Sequence, residues 1–104
     1  DRKVTHHAQG VKVELLTSES SQKKITPYLI TLPGDHKTQQ ESSERGVEKF
    51  FFVLEGEVTA NIDQKEYPLK ASETLYFDAS LTHSLVNSHR STAKILAAVS
   101  PSKL

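Results

Sequence analysis

Five histidines, 13 basic and 13 acidic residues carry most of the chemistry open to this 104-residue chain, which contains no cysteine. Without cysteine there is no disulfide, no thiolate metal ligand and no thiol nucleophile. The sequence also has no Gly-x-Ser-x-Gly elbow, no phosphate-binding loop and no His-Glu-x-x-His pair, so the familiar hydrolytic and nucleotide-binding signatures are missing. His6 and His7 are adjacent; on a strand they point to opposite faces and make a poor chelate. His89 stands beside Arg90 in a polar turn and reads as exposed. His36 lies in the stretch 35–46, which holds no apolar residue, and reads as solvated loop. Only if that loop folds back does His36 approach His83, with Glu41, Glu44 or Glu48 adding a carboxylate. Otherwise Glu41 and Glu44 read as solvation of the same loop. Strand parity puts Lys49 on one face with Phe51 and Val53, and His83 on one face with Leu85 and Asn87. An ammonium on a buried face needs a partner, because an unpaired charge in low dielectric is costly. That partner is a ligand carboxylate or phosphate, or an internal acid such as Glu48, Glu57 or Glu73, unless Lys49 snorkels to the surface.

The elements that must position these groups have an apolar period near two. Residues 11–16, 25–32, 48–54, 57–62, 65–69, 74–78, 83–87 and 93–99 read as strands, with Asp63-Gln64 as a hairpin turn. No window sustains a helical stripe with caps. Short strands joined by short polar turns indicate an all-β sandwich or barrel. The length fits one domain: residues 1–9 as an N-terminal tether or loose strand, residues 10–104 as the barrel. A formal net charge of zero argues against free-standing nucleic-acid binding. The longest apolar run, 50–54, is far too short to span a bilayer, no leader opens the chain, and a cytoplasmic location is expected. The lack of any methionine fits a processed chain or a piece of a longer one. In the run 49–54, Phe51 and Val53 face one way while Phe50, Phe52 and Leu54 face the other, so both faces need cover. One face fills the barrel; the other meets a second sheet or a second subunit, and a sheet-on-sheet homodimer is expected.

From Gly46 to Pro101 the chain resembles the cupin superfamily of small jelly-roll barrels (double-stranded β-helices). Val53-Leu54-Glu55-Gly56-Glu57 is similar to the close of the first cupin motif. Leu69-Lys-Ala-Ser72-Glu73, Leu75-Tyr-Phe77, Thr82-His83 and Asn87 follow the second. Ser72-Glu73 replaces the usual Gly-Asp, so the turn there is expected to bend differently. The layout is most similar to the C-terminal cupin of regulators with a phage-repressor-type helix-turn-helix. The resemblance implies a metal site of two histidines and a glutamate from the first motif and a histidine from the second. Here Lys49 stands at the glutamate position, and Ser43 with Arg45, or Ser42 with Glu44, at the paired histidines; only His83 is kept. No metal and no other cofactor is therefore expected, and no enzyme. If Lys49 keeps the family's inward direction, Arg45, Lys49, His83 and Asn87 frame an anion, with Phe51 and Tyr76 or Phe77 as apolar walls. The function implied is the effector-sensing, dimerising cupin of a helix-turn-helix regulator, taking a small anionic metabolite in a metal-free barrel. DNA would be read only by a part outside this chain, and no membrane is involved. The rivals are a stand-alone metal-dependent cupin enzyme, of isomerase or dioxygenase type, and a ligand-free dimerisation scaffold.

Overall fold

Burial alternates residue by residue over residues 26–32, 49–53, 57–62 and 93–100, as strands with one inward face require. The computed structural model describes residues 10–17 and 24–101 in full and residues 3–6 by backbone alone. The strands are β1 (Lys3–His6), β2 (Lys12–Leu15), β3 (Thr26–Leu32), β4 (His36–Lys37), β5 (Glu48–Glu55), β6 (Glu57–Ile62), β7 (Lys65–Lys70), β8 (Thr74–Asp78), β9 (His83–Asn87) and β10 (Ala93–Ser100). They form two antiparallel sheets, a six-stranded one in the order β1-β2-β3-β10-β5-β8 and a four-stranded one in the order β4-β9-β6-β7. The expected all-β architecture is the one found. No helix among the described residues is long and apolar enough to cross a membrane. Of the stretch 1–9, β1 pairs with β2; the remainder, and the side chains of His6 and His7, lie outside the described residues.

Leu32, Val53 and Ile95 from the larger sheet meet Ala60 and Leu85 from the smaller, and together they anchor the core. Full burial of each large aliphatic side chain contributes about 1.5–3 kcal/mol. The strongest alternations gave the clearest strands. β6 shows intermediate and buried residues in strict turn, as does β10. Asp63 and Gln64 both take positive φ, 50° and 69°, the geometry whose twist suits a two-residue hairpin. Ser72 corrects an expectation. It adopts φ 74° although it is not glycine, held by Ser72 N–H donating to Val53 O at 2.7 Å and Glu73 N–H to Lys70 O at 3.0 Å. Those bonds offset the roughly 1 kcal/mol that a left-handed conformation costs an L-residue.

The outer side of the six-stranded sheet is apolar at its centre. Phe50 lies across from Ala98 and Tyr76, Phe52 across from Leu96, and Leu96 across from Leu29. The described N-terminal strands do not cross this face; they extend the same sheet beyond β3.

Candidate functional site

β5 and β9 lie in opposite sheets, and their inward residues face each other across the barrel. β5 is buried at Lys49, Phe51 and Val53 and less so at Phe50 and Phe52, so its parity fixes Lys49 inward. Lys49 is flanked in register by Val99 on β10 and Phe77 on β8, both buried. β9 contributes His83 and Leu85, 2 % and 1 % exposed. The Phe77 ring packs on Phe51 and edge-on to His83, each with centroids 5.1 Å apart.

A third strand-like segment completes the site. Glu41 forms a single antiparallel bridge to His83, its N–H donating to His83 O at 3.0 Å and its carbonyl accepting from His83 N–H at 2.9 Å. Thr38 N–H donates to Leu85 O at 2.9 Å and Ser43 N–H to Ala79 O at 2.8 Å. The segment 38–43 therefore lies as a strap along the edge of β9, and it carries the Glu41 carboxylate over the barrel mouth.

The Lys49 ammonium donates to Glu41 Oε1 and, at 2.9 Å, to His83 Nε2. The other ring nitrogen, Nδ1, lies 2.8 Å from Leu81 O. A carbonyl can only accept, so Nδ1 carries the proton and Nε2 is left as the acceptor that Lys49 needs. Glu41 Oε1 is also 3.5 Å from Nε2. His83, whose Nε2 carries no proton, has none to give the Glu41 carboxylate; the contact and charge of Lys49 hold that carboxyl below its usual range, against the opposing effect of its partial burial. The corner is thus an ion pair with a neutral imidazole, close to zero in net charge. The inward Lys49 that the family resemblance implies is found buried, and its partner is not one of the acids named for it. None of Glu48, Glu57 and Glu73 pairs with it; Glu41, which read as loop solvation, does.

Beside this corner lies a cavity of about 400 Å³ between the sheets, walled mainly by apolar side chains such as Val13, Ile30, Phe51, Leu85 and Val99. That volume falls within the ~300–1,000 Å³ typical of small-molecule sites. Tyr28 adds a phenol whose pKa is raised, by burial above all and then by the Glu41 charge.

Of the sequence candidates, Lys49, His83 and Phe51 come together here. Arg45 does not: it is exposed, and its charge acts on Asp78 at the surface. Gly46, at φ 90°, lies between it and β5, so strand parity does not carry across. Tyr76 is 65 % exposed on the outer face, and its neighbour Phe77 turns inward instead. Asn87 is buried, but its polar atoms are engaged elsewhere. Its Nδ2 donates to Leu32 O at 3.1 Å, to Pro33 O at 3.3 Å and to Ser91 O at 2.8 Å, while Oδ1 accepts from His89 N–H at 3.0 Å. It pins a turn and does not line this cavity. His36 pairs with Asn87 on β4, its Nδ1 2.7 Å from Gly34 O. Four residues along β9 put it about 13 Å from the level of His83, so the two histidines do not meet. Sequence reading missed Tyr28 and Thr38 as residues of this cavity, and set Glu41 near His83 only on condition that the loop folds back beside His36.

The donor set does not suit a divalent metal. Nε2 of His83 accepts from an ammonium at 2.9 Å, so a cation already takes up the lone pair a metal would need. Among the described residues no three metal-ligating side chains converge.

The family model described as "Cupin domain" matches residues 28–99. No curated protein matches. Among solved structures, the cupin domain of an XRE family transcriptional regulator from Enterobacter cloacae superposes with a TM-score of 0.83 at 20 % identity, over 91 % of this chain and 100 % of that one. An HTH_3 family transcriptional regulator from Vibrio cholerae gives 0.78 at 22 % identity over 89 % of this chain, which spans 52 % of that regulator. A sugar phosphate isomerase from Silicibacter pomeroyi gives 0.79 at 19 % identity, over 98 % of this chain and 71 % of that one. The fold is therefore shared by regulators and by enzymes.

Proposed function

Since the chain belongs to the cupin-domain family, we propose that it is the effector-sensing and dimerising cupin of a helix-turn-helix transcriptional regulator, binding a small organic effector in a metal-free barrel. One observation carries this reading: the barrel has an open apolar cavity, and the polar corner beside it is built on a lysine rather than on a set of metal ligands. A lysine bonded to His83 serves binding and positioning, whereas metal-dependent chemistry needs that imidazole free. The likeness to cupin domains of two regulators supports the assignment. The apolar outer face of β5 and β10 supplies a surface for a second copy, and the DNA would be read by a separate helix-turn-helix.

The test is a melting screen of small organic acids, alcohols and amides. A guest at 100 times its Kd stabilises the fold by about 2.7 kcal/mol, a rise of roughly 10–20 °C in a domain this small. Loss of that rise in a variant that fills the cavity, Val13→Trp, supports binding inside the barrel. The reading fails if no compound raises the melting point, or if the purified protein carries a stoichiometric transition metal that disappears in His83→Ala.

A further inference from the structure

Resting on that reading, we propose that Glu41 is a built-in stand-in for the effector's own carboxylate. The effector is an organic acid with an apolar body, and it displaces Glu41 from Lys49 and loosens the strap 38–43 from the barrel mouth.

The two halves of the ion pair differ in their freedom to leave. Lys49 is fixed in mid-sheet with its side chain 7 % exposed, whereas the Glu41 side chain is 53 % exposed. A rotation of the Glu41 side chain takes its carboxylate into water, where it is well solvated. The Lys49 ammonium has no such route and must keep a partner. A guest carboxylate meets that need without changing the charge of the corner, since one anion replaces another. An alcohol or amide cannot: it brings a hydrogen bond but no charge. A phosphate fits less well, because its second charge would be desolvated against apolar walls.

The cavity supplies the rest of the specificity. Lys49, His83 and Glu41 border the same space as Val13, Ile30 and Val99, so a head group on Lys49 places its body among apolar side chains. The displaced residue is also the one by which the strap is bridged to β9. Beyond that bridge the strap is held by the bonds of Thr38 and Ser43. Exchange at the side chain thus reaches a backbone segment on the outside of the barrel.

Calorimetric titration with octanoate, octanol and octanamide tests the exchange on the wild-type chain, Glu41→Gln, Glu41→Asp and Lys49→Met. Octanoate is expected to bind at least tenfold more tightly to Glu41→Gln than to wild type, because the internal competitor has lost its charge. Glu41→Asp, whose carboxylate falls short of Lys49, should tighten it too. Octanol should change less than twofold among these proteins, and Lys49→Met should abolish the preference for the acid. Amide hydrogen exchange at Thr38 and Glu41 should quicken several-fold on adding octanoate and not on adding octanol. If acid and alcohol bind alike and Glu41→Gln alters neither, the exchange is wrong while the cavity reading stands. If octanoate fails to bind Glu41→Gln, where nothing competes for Lys49, the inference is also overturned, and the melting screen decides the fate of the cavity reading separately.

Discussion

Removing either member of the Lys49–Glu41 pair breaks the same contact, yet the two losses should differ in cost. Glu41→Ala leaves a buried ammonium with one neutral acceptor, His83. An uncompensated buried charge in a broken pair costs about 3–5 kcal/mol, and the half-exposed position of Glu41 lowers that by solvent screening. That brings the cost to about 2 kcal/mol. Lys49→Met behaves otherwise. Glu41 then turns to water, an apolar side chain of similar length packs beside Phe51, and the loss is confined to the bond to His83, about 1 kcal/mol. Relief of the buried ammonium's desolvation offsets much of that, so the net change should lie within about 1 kcal/mol of zero. At about 4–8 °C per kcal/mol, Glu41→Ala should melt roughly 8–16 °C below wild type at pH 7 and Lys49→Met close to it. The effect also has a pH signature. Because folding depresses the Glu41 pKa, its stabilisation is complete above the unfolded value of 4.5 and fades as pH falls toward about 2. Melts of wild type and Glu41→Ala should therefore converge between pH 5 and 2. If Lys49→Met is the more destabilised variant, or if the gap to Glu41→Ala does not change with pH, this account of the corner is refuted.

Three further outcomes follow from other parts of the fold. Phe52→Asp on the outer face should turn a homodimer into a monomer in sedimentation runs without unfolding it, provided the wild-type interface buries more than roughly 1,000 Å²; a wild-type chain monomeric at high concentration would sink the dimer. Gly56→Ala should lower stability by about 1–2 kcal/mol in urea titrations, because Gly56 sits at φ 79° and an added Cβ would lie 3.1 Å from Ala93 Cα; an unchanged midpoint would contradict it. Elemental analysis of the purified protein should find well under one equivalent of any transition metal, and Lys49→Glu alone should not restore one, since Ser43 and exposed Arg45 still stand where imidazoles are needed.

The parts of this molecule that were legible in its sequence are those with a partnered alternation. β6, β8 and β9 run over the residues their patterns indicated, each held in register by its neighbours, β8 by β5 and β6 by both β7 and β9. The same parity put Lys49 on one face with Phe51 and Val53, and the family resemblance gave that face its inward direction. Parity failed wherever the chain leaves a strand. Arg45 precedes a left-handed glycine, so counting back from Lys49 says nothing about its direction. Tyr76 and Phe77 are both aromatic, and hydrophobicity alone does not say which of two neighbours turns inward; the register of β8 against β5 does. Glu41 was the hardest to find. Its segment has no apolar residue to mark a buried face, and its role comes from a single bridge to His83, a contact between residues far apart in the chain. A buried lysine announces that an acid must exist, but only the fold says which.

β5 ties the two halves of the proposed function together. Its inward residues, Lys49 and Phe51, border the cavity, and its outward residues, Phe50 and Phe52, lie on the face offered to a second copy. β10 repeats the arrangement, with Val99 inside and Leu96 and Ala98 outside. In the proposed complex a single layer of strand would separate guest from partner. In the proposed dimer the outer face would be close-packed against the second copy, so a sideways shift of β5 would be passed to the interface. On the proposed reading, an acid that draws Lys49 toward a new anion would act on the strand whose reverse side carries Phe50, and by reciprocity the geometry of the pair would act on the affinity for the acid. The strap 38–43 offers a second route, at the edge of the other sheet. The two can be told apart, since Phe52→Asp removes the first and leaves the bonds of Thr38 and Ser43 in place.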